Sequence, residues 1–179
     1  MATAREIVTQ VLANVEHLSE EPGMYFIPDI AKMIPPTIRE IVIDVVTAGK
    51  QDERKLLTKS FTVAIVTVAD NFDTADLTTS LTASEPMLLD MPFPGVTHPD
   101  SQSGELLRTA DLRNLGFVNL AEGYDHYAVD GNTMYINADP ELTGNISIRA
   151  FYVPAVTNLP KQFESELISR LMSKMGMKQ

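Results

Sequence analysis

The sequence predicts an α+β fold: N-terminal α-helices, a small antiparallel β-sheet with a long loop insertion, and a C-terminal helix. Three observations lead there. Apolar residues recur at steps of three and four in the first fifty residues and again near the end. Between them lie β-branched or alternating segments divided by Gly, Pro and Asp. A stretch rich in Thr, Ser, Asp and Pro, about 70–104, breaks the β part in two. A chain of 179 residues suits one domain, 1–179, with that stretch as an extended insertion.

The first helix is predicted over Thr3–Leu18. Thr3 and Glu6 have capping-box spacing, and Ile7, Val8, Val11, Leu12, Val15 and Leu18 form one apolar stripe. Pro22-Gly23 ends it. The second main helix is expected to start near Pro35 or Pro36, because two residues without an N–H block continuation from upstream, and to run to Thr47 with Gly49 as its stop. Asp52, Glu53, Arg54 and Lys55 read as a charged link. From Phe61 the run FTVAIVTVAD is nearly apolar on both faces, which predicts a strand covered on both sides, by the chain's own helices or by a neighbouring subunit.

The stretch from Asn71 to Gly104 reads as an excursion whose apolar portion is Pro86–Pro94. After a short helix or turn over Glu105–Leu112, strands are expected at Phe117–Leu120, Tyr124–Val129, Thr133–Asn137 and Asn145–Val153. Asp130-Gly131 marks a tight hairpin. The last helix, about Leu159–Met175, opens on Pro160 and aligns Phe163, Leu167, Leu171 and Met175.

Lys and Arg number 14 against 24 Asp and Glu, a formal charge of −10. Such a surface repels a nucleic-acid backbone, and no Lys or Arg falls between Lys59 and Arg108 to grip phosphate. With no cysteine, disulfides and thiolate chemistry are excluded. No apolar run reaches the roughly 18 residues of a membrane span, and the N-terminal segment has none of the layout of a signal peptide. A soluble chain made in the cytoplasm is expected.

The residues that carry chemistry are scattered. His17, His98 and His126 have no metal-ligand spacing. Ser101 and Ser103 lie near His98 and Asp100 but lack a nucleophile elbow. Asp73 with Asp76, and Asp139 with Glu141, are acid pairs without a cleft that sequence can identify. Nucleotide loops are absent. The expectation is a non-enzymatic protein with no catalytic residue, metal or cofactor, acting through protein contact. Two surfaces are singled out for that contact. One is Met87, Leu88, Leu89, Met91 and Phe93, reaching out from the excursion. The other is Phe163, Leu167, Leu171 and Met175 on the last helix, with Arg170, Lys174 and Lys178 as a basic edge toward an acidic neighbour.

The blocks ELLRTADLRNLG, YDHYAVDGNTMYINADPELTGNISIRAFYVP and LPKQFESELISRLMSKMG, in that order, resemble the head-to-tail adaptors of tailed bacteriophages, including tail tubular and gatekeeper proteins. Tyr127, Asp130-Gly131, Met134–Ile136, Pro140, Gly144, Ile146–Tyr152 and Leu159-Pro160 carry the likeness, with Ile34, Ile38, Ile41 and Val45 matching the second helix. The resemblance implies a virion protein at the head–tail interface. Its subunits would form a homo-oligomeric ring, twelve by family habit, between the portal protein and tail or nozzle proteins. Viral DNA would pass through without sequence-specific binding, and no membrane is involved. Another tail-completion or minor tail protein is the alternative, and a small hydrolase a more distant one.

Overall fold

The computed structural model describes residues 2–18, 27–67, 72–98, 107–117, 125–138 and 142–175. The chain divides into two compact units where one domain with an insertion at about 70–104 is expected: residues 1–57 with 153–179 form one, and residues 58–152 the other. Both chain ends therefore build the same unit.

The helical unit begins with α1, Ala4–Leu18. Its capping box forms as the spacing predicts. The Thr3 N–H donates to Glu6 Oε2 at 2.6 Å, and the Glu6 N–H donates to Thr3 Oγ1 at 3.2 Å. The bond from the Thr3 backbone, then the one from its hydroxyl, holds the Glu6 carboxyl below its ordinary value. Ile7, Val8 and Val11 are buried.

Helix α2 runs Ile27–Ala48, unbroken across Pro35 and Pro36, so the expected start at the proline pair is corrected. Pro35 and Pro36 leave the carbonyls of Ala31 and Lys32 without a main-chain donor four residues on. All four residues are exposed, so water can satisfy those carbonyls. The opposite face buries Ile30, Ile34, Ile38, Ile41 and Val42, and this burial holds the helix through the prolines. A short α3, Gln51–Leu56, takes the place of the charged link. After a 3₁₀ turn at Lys161–Phe163 comes α4, Glu164–Lys174, against α1 and α2. Among the described residues no helix is long and apolar enough to cross a membrane.

The other unit corrects the predicted fold class. Its sheet is neither small nor purely antiparallel: seven strands form a mixed, nearly closed barrel. The strands are β1 (Thr58–Val66), β2 (Asp73–Asp76), β3 (Gly95–Thr97), β4 (Arg108–Thr109), β5 (His126–Asp130), β6 (Thr133–Asn137) and β7 (Asn145–Phe151). Their order is β3-β7-β1-β2-β6-β5-β4, antiparallel except for β4 on β5. The two end strands approach each other, the Leu107 N–H donating to the Val96 carbonyl at 2.8 Å, so the sheet curls back on itself.

The β5–β6 hairpin closes on Gly131-Asn132, with Asp130 paired to Thr133 and Gly131 at φ 56°. A glycine meets that left-handed requirement without a Cβ penalty. Inside the barrel lie Phe61, Val63, Met134, Ile136, Ile146 and Ile148. On β1 the chain itself covers only one face: Thr62, Ala64 and Val66 are exposed, so the chain's own helices do not supply the second cover. The candidate strand Phe117–Leu120 is replaced at its start by a 3₁₀ turn, Leu112–Phe117, and its other residues lie outside the described ones.

Candidate functional site

Two of the residues weighed for chemistry, His98 and Asp73, make hydrogen bonds that hold the barrel's own loops. His98 is buried, and its Nε2 donates to the Thr143 carbonyl at 2.7 Å. Asp73, also buried, accepts from the Leu142 N–H at 3.1 Å. The Ile65 N–H donates to the Gly144 carbonyl at 2.8 Å. Three bonds thus pin the loop between β6 and β7, and two of them use the side chains singled out in sequence. Asp76 is exposed and accepts from the Thr78 hydroxyl at 2.6 Å and the Thr78 N–H at 2.9 Å, bonds that hold its carboxyl below the ordinary value. His126 is half-buried on β5. Asp100, Ser101, Ser103, Asp139 and Glu141 lie outside the described residues, as does the side chain of His17. Among the described residues no three His, Asp or Glu side chains group as metal ligands.

Part of the first expected contact surface packs within the barrel unit. Met87 is 2% exposed and belongs to the barrel core, against which Leu89 and Phe93 also pack. Leu88 is buried too, and Met91 half-buried. The physical reason is that the excursion is strapped to the sheet. The Leu88 N–H donates to the Phe151 carbonyl at 2.8 Å, and Met87 bridges to Tyr152. Phe93 stacks on Tyr127 with ring centroids 6.3 Å apart. Lys59 Nζ meets Glu85 Oε2 at 2.7 Å and lies 5.6 Å from the centre of the Tyr152 ring. Burial, then the nearby Glu85 carboxylate, pushes the Tyr152 phenol up.

The second expected surface is likewise internal. Phe163, Leu167, Leu171 and Met175 are all buried in the helical unit. The basic edge is used within the unit as well. Arg170 Nη1 donates to Asp44 Oδ2 at 2.7 Å and its Nε to Glu166 Oε1 at 2.8 Å. Burial opposes the Arg170 charge, but these two carboxylates outweigh it and raise the guanidinium's pKa. Lys174 Nζ donates to Glu40 Oε1 at 2.8 Å and to Thr37 Oγ1 at 3.1 Å. Lys178 lies outside the described residues.

What the helical unit does leave open is a groove of about 590 Å³ between α2, α3 and the start of α4. Ile41, Val45 and Phe163 give it an apolar floor, and Leu56, 46% exposed, forms part of its wall. Charged residues rim it: Asp44, Glu166 and Arg170 on one side, Lys50, Asp52 and Glu53 on the other. Gly49 shapes the corner, its N–H donating to the Val45 carbonyl at 2.8 Å. A Cβ on Gly49 would come within 2.4 Å of that oxygen, so a side chain there would force the turn from α2 into α3 to shift.

Sequence reasoning missed this groove because α3 looked like a linker. The available signal was charge order, since Asp52 and Glu53 precede Arg54 and Lys55 in the sense that complements a helix dipole. Six residues are too few for an apolar period to appear. No protein-family model matches the chain, and no curated protein matches it significantly in sequence.

Proposed function

We propose that this chain is a structural subunit of a ring-shaped head-to-tail connector in a tailed-phage virion, joining the portal to tail components around the DNA passage. The observation that carries the reading is how the adaptor-like blocks fall on the structure. YDHYAVDGNTMYINAD spans the β5–β6 hairpin, NISIRAFYVP includes β7, and LPKQFESELISRLMSKM supplies the 3₁₀ turn and α4. The hairpin and β7 lie in the barrel unit, and the last block rejoins the unit that the N-terminus began.

Charge supports the same reading. The helical unit contains 11 acidic and 10 basic residues, whereas the barrel contains 13 acidic and 4 basic ones. Nearly all the net negative charge therefore resides in the barrel unit. A conduit subunit benefits from such a balance, because basic residues repeated around a ring would hold many phosphates at once and slow the passing DNA.

The experiment is genetic and visual. Particles assembled without the chain are expected to be heads lacking tails in electron micrographs, and purified full-length chain should restore tail joining. Normal tailed particles formed in its absence would overturn the proposal.

A further inference from the structure

We propose that Asp130-Gly131, at the tip of the β5–β6 hairpin, is a site of spontaneous conversion to isoaspartate, a covalent modification that accumulates as the folded chain ages. The inference stands apart from the connector reading. The reaction needs an aspartate whose side-chain carboxyl carbon the next residue's backbone nitrogen can reach, and a glycine in that next place leaves the nitrogen uncrowded. No other Asp or Asn in the sequence precedes a Gly. The structure leaves this pair open to the reaction. Asp130, Gly131 and Asn132 are all exposed. The strand ladder ends at the Asp130–Thr133 pair, so the Gly131 N–H lies outside it, and among the described residues that N–H donates no hydrogen bond. A Cβ placed on Gly131 would meet nothing within 4 Å, so a ring formed there has room.

The Gly131 nitrogen attacks Cγ of Asp130. A nitrogen–carbon bond forms as a Cγ–oxygen bond breaks, and the oxygen leaves as water, taking the amide proton with it. The product is a cyclic succinimide, to which water then adds at either ring carbonyl. Addition at Cγ restores aspartate. Addition at the main-chain carbonyl breaks its bond to the Gly131 nitrogen and leaves the chain running through Cβ and Cγ, with the former main-chain carbon as a free carboxylate. One water leaves and one returns, so the product keeps the parent's mass. Ring closure requires Asp130 to leave the extended backbone of β5, and it proceeds when the hairpin tip opens locally, an event far cheaper than global unfolding. The folded chain therefore reacts more slowly than a free peptide of the same residues. The longer main chain falls between two anchors, the Asp130–Thr133 pair and the bond from the Leu77 N–H to the Asn132 carbonyl at 2.8 Å. The converted turn cannot keep its two-residue geometry.

The test holds the full-length chain in warm neutral buffer for weeks, then digests samples with a protease that cuts before aspartate and not before isoaspartate. The expected result is a growing fraction of an uncut peptide covering residues 125–138, with the parent's mass. The same samples should accept methyl groups from S-adenosylmethionine in the presence of an isoaspartyl methyltransferase. Asp130→Glu, at an exposed position, prevents formation of the five-membered ring and should lose this methyl acceptance. A synthetic peptide of residues 125–138 is the reference for rate. A folded chain that yields none of the uncut peptide after a time that converts most of the reference would overturn the proposal, and so would methyl acceptance undiminished in Asp130→Glu.

Discussion

Replacing Leu167 by Ala is expected to destabilise the helical unit by about 2–5 kcal/mol, the range for deleting a fully buried Leu. Leu167 has no exposed surface, and α4 lies against both α1 and α2. Since small domains are stable by only about 5–15 kcal/mol, the loss would consume much of the unit's margin. Denaturant unfolding followed by far-ultraviolet circular dichroism gives the value. Ser165→Ala, on the exposed side of the same helix, is the control and should stay within about 0.5 kcal/mol of the parent. If Leu167→Ala left stability intact and lost only assembly, α4 would be a docking element after all.

The second large effect belongs to the barrel. Met87→Ala should cost about 2–5 kcal/mol, and Met87→Asp more, because a carboxylate there would be desolvated in a site 2% exposed and occupied by apolar neighbours. Val66→Asp, at a position 58% exposed on the outer face of β1, should change stability by no more than about 0.5 kcal/mol. The chain has no Trp, so amide dispersion in a proton–nitrogen correlation spectrum during denaturant titration is a suitable readout. Were the excursion a detachable arm, the Met87 and Val66 variants would unfold alike.

These two positions also show what the sequence can and cannot convey. Local signals were legible. Thr3 and Glu6 formed their capping box, and the strand Thr133–Asn137 formed as read, although the hairpin turns on Gly131-Asn132, one residue beyond the expected Asp130-Gly131. The period-2 pattern of Ile146, Ile148 and Ala150 likewise marked the buried face of β7. What failed was the reading of short elements. β2, β3 and β4 have four, three and two residues, too few to alternate recognisably, and each exists because a longer neighbour offers its hydrogen bonds. Their omission turned a seven-stranded barrel into a small sheet with a loop, and made Met87 look like an exposed contact residue.

The proline pair failed for a related reason. Propensity weighed two missing donors against continuation, whereas the buried face of α2, Ile30 to Val42, supplies more than those donors cost. The groove was illegible because its floor comes from α2 and Phe163, and its wall from a helix too short to announce itself. Arg170 and Lys174 resembled a free basic edge because their partners, Asp44 and Glu40, stand more than a hundred residues away in sequence.

Native mass spectrometry of the purified full-length chain over a range of concentrations, with images of the same sample, tests the connector reading most directly. The account predicts one discrete closed species, twelve chains by resemblance to the adaptors, with an open centre in face-on views. A chain that stays monomeric at every concentration, or that grows into open filaments without closing, would contradict it.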